Sequence, residues 1–214
     1  MRNDIFPSIL TDSLELAQEQ LNLVQGLVSG VQIDIIDGEF ADNITFHPVD
    51  ITSLTTHNMS IDLHLQTIEP IDYVVECERV QNLRAIIGQV ERMSSQKDFI
   101  DHVASCGWSA GLSLDLYTPV SAIEEDQWKR LQVIQVMTIH AGFQGQKFEL
   151  IAVQKIHEVR KHLDERHLTC DLFVDGGITP ETFRLCKDAG ATHYTPGHYL
   201  WASQNIAESL KKLV

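Results

Sequence analysis

The chain has 214 residues, 43% hydrophobic and 21% charged, which is enough for one sizeable core and short for two domains. Its formal net charge of -14 repels nucleic acid and anionic membranes, so neither is an expected partner. An anionic small molecule would need a local device to hold it, such as backbone N–H groups or a metal ion.

The opening stretch MRNDIFPSIL lacks the apolar run of a signal peptide, and no segment is long and apolar enough to span a bilayer. Cys77, Cys106, Cys170 and Cys186 are scattered without a CxxC pair, the pattern of reduced thiols in a cytoplasmic protein.

In chain order, the spacing predicts strands at 5–9, 31–36, 60–65, 83–88, 109–114, 131–137, 169–174 and 191–196. Helical stripes fall between several of them. Leu14, Ala17, Leu21 and Val24 form one, with Asp12 as the expected cap and Glu15 three positions on. Ala152, Ile156, Val159 and Leu163 form another. ITPETFRLCKDAG reads as a complete helix, with Thr179 as N-cap, Pro180 at the first turn and Gly190 just past the end. A last helix is expected from about Ser203, with Ile206, Leu210 and Leu213 on one face.

Alternating strands and helices imply parallel strands with crossover connections. Eight such units predict a (β/α)8 TIM barrel, an α/β fold forming one domain over residues 1–214. The competing doubly wound sheet is weakened by the absence of G-x-G-x-x-G after the first strand.

In a barrel, one face of each strand points at the axis, and a polar residue late on that face belongs at the catalytic mouth. The stretch VQIDIIDGEF places Gln32 and Asp34 on one face, opposite Val31, Ile33 and Ile35. In SIDLHLQ the same face would carry Asp62, His64 and Gln66, and Asp175 closes strand seven. Each of these residues alone has an ordinary structural explanation. Asp34, His64 and Asp175 together at three strand ends point to a divalent metal site or an acid/base pair.

Glycine-bearing loops follow strands six, seven and eight: HAGFQGQKF (140–148), DGG (175–177) and TPGHY (195–199). Glycine lets backbone N–H groups approach an anion, so these loops predict a phosphate cup.

The blocks PSIL, DIIDGEFADNITF, DLHL, GLSLDLYTP, VMTIHAGFQGQKF and VDGGITPET, running from Pro7 to Gly197, resemble the ribulose-phosphate 3-epimerase family. The resemblance implies an isomerase that interconverts D-ribulose 5-phosphate and D-xylulose 5-phosphate with a divalent metal. It implies Asp34 and Asp175 as acid/base residues and metal ligands, His64 as a third ligand, and Ser8 as a substrate contact. Met137 would line the reacting carbons. Gly176, Gly177 and Gly197 would hold the phosphate, aided by Gly142, Phe143, Gln144, Gly145 and His198, with His64 also near the substrate. A homo-oligomer is a further implication.

The chain departs from the family pattern at identifiable positions. Gln32 stands where the family has a fourth, histidine ligand, and Ile36 and Gln66 replace methionines. The phosphate loops read GFQGQ and Gly197-His198. Gln32 therefore has two readings: a weak oxygen ligand that disfavours zinc, or a hydrogen-bond partner of Asp34 that never meets the metal. The metal could be zinc, manganese, magnesium or iron. Alternatives to the pentulose activity are 3-epimerisation of another ketose phosphate, such as a hexulose 6-phosphate, and phosphosugar binding by a weak enzyme with a degraded metal site. His47 and His140 also fall in loops after strands two and six, where loop histidines ordinarily remain free in solvent.

Overall fold

Eight parallel strands, paired in sequence order, make up the sheet of a computed structural model that describes residues 4–213. They are β1 (Ser8–Ile9), β2 (Gly30–Ile36), β3 (Ser60–Gln66), β4 (Leu83–Gln89), β5 (Ser109–Leu114), β6 (Val133–Met137), β7 (Asp171–Asp175) and β8 (His193–Thr195). The sheet closes on itself where the chain around β1 meets β8. The N–H of Phe6 donates to the Tyr194 carbonyl at 2.9 Å, and that of Ser8 to the Pro196 carbonyl at 3.1 Å. This is the expected (β/α)8 architecture, with strand positions within a few residues of those read from the sequence.

The helices are α1 (Leu14–Val24), α2 (Ile71–Val74), α3 (Gln96–Ser105), α4 (Ile151–Glu165), α5 (Pro180–Asp188), α6 (His198–Trp201) and α7 (Ile206–Lys212). Ala17, Leu21 and Val24 of α1 are buried, as are Ala152, Ile156, Val159 and Leu163 of α4, so the apolar stripes face the sheet as their spacing requires. The cap of α1 lies one residue later than expected. Ser13, not Asp12, accepts the N–H of Leu16 at 3.2 Å. Thr179 caps α5 and Pro180 opens it, while Gly190 takes φ 105° just beyond its end. The last helix starts at Ile206 rather than near Ser203, because Asn205 supplies the cap to the Glu208 N–H at 3.1 Å.

Not every crossover is a full helix. Between β2 and β3 the regular structure is a 3₁₀ turn at Pro48–Ser53, and between β5 and β6 it is two, at Val120–Ala122 and Trp128–Arg130.

Both faces of the strands are covered, so every residue of β2 is buried. The larger core lies between strands and helices, and includes Ile33, Leu63, Leu112, Ile156 and Phe183. Inside the barrel, a smaller group forms around Phe6, Ala85, Ile87, Val133 and Phe173. Below it Arg84 donates to Asp62 and to Asp171, at 3.2 Å for the latter, while the His193 ring stacks on Phe173 at 4.5 Å. Burial pushes the Asp62 carboxyl up to about 6 against the opposing pull of Arg84. Asp62 thus plugs the floor of the barrel, although it shares an inward face with His64 and Gln66. Above this floor the interior turns polar.

Candidate active site and metal centre

Asp34, His64 and Asp175 emerge on the inward faces of β2, β3 and β7 and are almost completely buried, at 2%, 0% and 6% exposure. The register pairs Asp34 with His64 on adjacent strands. His64 Nδ1 lies 2.8 Å from Asp34 Oδ1 and 3.5 Å from Asp175 Oδ2. One ligand atom from each residue falls within 4.8 Å of the other two. The Ser8 hydroxyl, delivered by β1, donates to the other oxygen of Asp34.

Burial works against a charged imidazole, but Asp175 and Asp34, through hydrogen bonds and charge, push His64 up to about 9. Asp175 is held above the usual carboxylate range by burial, opposed by its hydrogen bond to His64 and reinforced by the Asp34 charge.

Glutamines surround this cluster. The Gln32 amide nitrogen bridges the two carboxylates, 2.7 Å from Asp175 Oδ2 and 3.0 Å from Asp34 Oδ1. This is the hydrogen-bonding arrangement, extended to both carboxylates. Gln66 Nε2 lies 3.3 Å from Asp34 Oδ1 and 3.3 Å from His64 Nδ1. Gln135 Nε2 lies 3.1 Å from His64 Nδ1 and 3.2 Å from Asp175 Oδ2. The amide oxygens of Gln32, Gln66 and Gln135 are buried without a partner among the described residues.

On the far side of the ring, the Gln89 amide is satisfied when its oxygen accepts from His64 Nε2 at 3.1 Å. Its nitrogen then donates to the Ser113 carbonyl and to Glu91. That contact keeps a proton on Nε2 and turns Nδ1 toward the carboxylates, as a ligating histidine requires. Two carboxylate oxygens and an imidazole nitrogen within 4.8 Å of one another, ringed by three glutamines with unpartnered amide oxygens, form a donor set that fits a divalent cation.

Gln89, Gln135 and Thr195 are inward-facing polar residues that sequence reasoning passed over. Thr195 is fully buried, lines the same cavity, and its hydroxyl has no hydrogen-bond partner among the described residues. The available signal was a lone polar residue within an apolar strand, as in VIQVM and IIGQV.

The cluster opens into a cavity of about 770 Å³ at the C-terminal ends of the strands, walled by Ser8, Gln66, Met137 and Asp175 among others. All the glycine-loop residues singled out from the sequence line it. Gly142, Phe143, Gln144 and Gly145 come from the loop after β6, Gly176 and Gly177 from that after β7, and Gly197 and His198 from that after β8.

Glycine is required at two of these positions. Gly177 takes φ 60°, and a Cβ there would sit 2.8 Å from the backbone nitrogen of Phe148. Gly176 takes φ 111°, with Ile139 in the space a side chain would need. The N–H groups of Gly177, Gly197 and His198 make no backbone hydrogen bond among the described residues. Gln144 ties its loop to the first strand's loop by donating to the Leu10 carbonyl at 2.6 Å. Ile36 is buried. His47 and His140 lie outside the cavity, beside Glu76 and Tyr117 respectively.

Comparison with known proteins agrees with this geometry. The sequence profile described as the Ribulose-phosphate 3 epimerase family matches residues 4–201. The Bacillus subtilis (strain 168) ribulose-phosphate 3-epimerase is 29% identical over 212 residues, 98% of this chain and 97% of that one. The Escherichia coli (strain K12) ribulose-phosphate 3-epimerase is 29% identical over 196 residues, 90% of this chain and 86% of its own length. The Arabidopsis thaliana chloroplastic ribulose-5-phosphate-3-epimerase is 28% identical, covering 97% of this chain and 74% of its own length.

Among solved structures, a 3-hexulose-6-phosphate synthase superposes with a TM-score of 0.65 at 15% identity, covering 100% of this chain and 98% of the other. A mutant tryptophan synthase alpha-subunit from Pyrococcus furiosus gives 0.67 at 12% identity, covering 100% and 99%. These two likenesses concern the fold alone.

Proposed function

Because the chain belongs to the ribulose-phosphate 3-epimerase family, we propose that it interconverts D-ribulose 5-phosphate and D-xylulose 5-phosphate, one of Asp34 and Asp175 taking a proton from C3 and the other returning a proton to the opposite face. The observation that carries this reading is the pair of carboxylates on β2 and β7, facing one cavity whose far wall is built from glycine loops.

Epimerisation beside a ketone removes a proton from one face of the substrate and returns one to the other, so it needs two acid/base groups. Asp34 and Asp175 reach the mouth from separate strands and fill those roles. Ser8 holds one oxygen of Asp34 and the Gln32 amide holds both carboxylates, which fixes their orientation before substrate arrives. Met137, 3% exposed, presents an apolar surface to the reacting carbons and keeps water from the exposed carbanion. The N–H groups of Gly177, Gly197 and His198 bind the phosphate and set the sugar's register in the mouth.

Positioned acid/base catalysis contributes roughly 10²- to 10⁴-fold, or about 3–5 kcal/mol, while enzymes lower barriers by about 8–23 kcal/mol. A divalent cation held by Asp34, His64 and Asp175 would supply the remaining electrostatic stabilisation of charge developing on the substrate oxygens.

The test is a coupled assay with ribulose 5-phosphate as substrate. The wild-type protein is expected to turn over, and Asp34→Asn and Asp175→Asn are each expected to lose at least about 10³-fold in kcat while keeping the folded circular dichroism spectrum. A wild-type protein inactive with every divalent cation, or an Asn variant with near-normal kcat, would overturn the assignment.

A further inference from the structure

Among the described residues the protein cannot satisfy Gln66, Gln135 and His64 Nδ1 all at once. Asp34 Oδ1, 2.8 Å from His64 Nδ1, asks for a proton on that nitrogen. The amide nitrogens of Gln135, Gln66 and Gln32, at 3.1, 3.3 and 3.4 Å from the same atom, ask for a lone pair there. Turning Gln66 over would set its oxygen against Asp34 Oδ1, and turning Gln135 over would set its oxygen against Asp175 Oδ2. Each orientation leaves like facing like, and the buried amide oxygens have no partner as they stand. Such groups carry a real cost, of about 1–3 kcal/mol each. Gln32 differs, since its nitrogen serves two carboxylates at 2.7 and 3.0 Å, whereas those of Gln66 and Gln135 each reach only one, at 3.3 and 3.2 Å.

A cation at the centre removes the conflict, because carboxylate oxygens, imidazole nitrogen and amide oxygens can then all point lone pairs at one charge. Building on the metal-assisted reading above, we infer that Gln66 and Gln135 turn their amide oxygens onto the cation held by Asp34, His64 and Asp175, making an oxygen-rich, six-coordinate centre that takes Mn²⁺ in preference to Zn²⁺. Gln32 stays in place as the bridge between the carboxylates.

The protein then provides four oxygens and one nitrogen, and leaves a position for substrate. Zinc favours nitrogen and sulfur donors in tetrahedral sites, whereas a mostly oxygen, octahedral set suits manganese. The family pattern carries methionine at the position of Gln66, so this donor is a property of the present chain.

Cobalt is the probe, since four-coordinate Co²⁺ absorbs intensely in the visible and six-coordinate Co²⁺ only faintly. Metal-free wild-type protein given one equivalent of Co²⁺ is expected to bind it with a faint spectrum. The double variant Gln66→Met, Gln135→Leu is expected to bind it with an intense one. In a parallel Mn²⁺/Zn²⁺ competition, the double variant should lose at least about tenfold in its preference for manganese.

An intense wild-type spectrum, failure to bind cobalt, or an unchanged spectrum and preference in the variant would overturn the inference. If the double variant does not fold, the wild-type spectrum decides alone. An active epimerase with an intense spectrum would refute these ligands and spare the proposed function. A faint spectrum in a protein without epimerase activity would do the reverse.

Discussion

Replacing Gln32 by leucine probes the amide that bridges the two carboxylates. The substitution preserves approximate volume and removes bonds of 2.7 and 3.0 Å to Asp175 and Asp34. A hydrogen bond to a charged group contributes about 1.5–3 kcal/mol, so the two together amount to about 3–6 kcal/mol. The change also removes the buried, unpartnered Oε1 of Gln32, which recovers about 1–3 kcal/mol. Taking the middle of each range, the net expectation for metal-free protein is a loss of about 2.5 kcal/mol, with the extremes spanning about 0–5 kcal/mol. With a urea m-value of about 2–3 kcal/mol/M, the unfolding midpoint should fall by roughly 1 M. The assay is urea denaturation in the presence of a chelator, wild type beside Gln32→Leu, with m checked for constancy. A shift worth less than about 0.5 kcal/mol would show that the bridge contributes little to the apo site, and the reasoning would fail.

Two further outcomes follow from other parts of the structure. Gly177→Ala places a Cβ 2.8 Å from the Phe148 nitrogen at φ 60°, costing about 1–2 kcal/mol in backbone strain alone, and displaces the loop that offers phosphate its N–H groups. Steady-state kinetics should show KM for ribulose 5-phosphate raised by about tenfold or more with a smaller change in kcat, and an unchanged KM would count against the phosphate cup. Burial pushes the thiols of Cys77 and Cys186, both 0% exposed, up to about 12 from 9.0. A folded pKa above the unfolded one favours the native state fully below pH 9, and that advantage is lost as the pH rises toward 12. By pH 10 each thiol should cost on the order of 1 kcal/mol, and the Cys77→Ala, Cys186→Ala pair should flatten the alkaline limb of the stability–pH curve by a few kcal/mol.

Much of this architecture is legible in the chain because parallel barrel strands are buried on both faces. An apolar run with a polar residue at every second position, as in β2 and β3, reveals both the strand and its inward side. The same alternation puts Asp34 and His64 on the inward faces of their strands, and Asp175 is marked by its place at the end of β7 before two glycines.

The height of a residue within the barrel is not encoded locally. Asp62 shares an inward face with His64 yet serves the floor, because Arg84 on the neighbouring strand lies there to receive it. Gln135 and Gln89 carry no local mark of proximity to His64, since that depends on how four strands are staggered. The one-residue error at the cap of α1 has a similarly small cause. Asp12 and Ser13 are both good caps, and the first apolar residue to face the core decides between them. The 3₁₀ crossover after β5 also lacks the apolar repeat that gave α4 away.

Proton transfer at C3 by two carboxylates is tested most directly by NMR of the reaction in D₂O, starting from protiated ribulose 5-phosphate. The xylulose 5-phosphate formed should carry deuterium at C3, with none at C1 or C4; Asp34→Asn and Asp175→Asn should each abolish its formation, while the variant that keeps the base facing ribulose 5-phosphate should still exchange C3 of that sugar. Epimerisation that leaves hydrogen at C3, or C3 exchange that persists undiminished in both Asn variants, would contradict transfer by the two carboxylates.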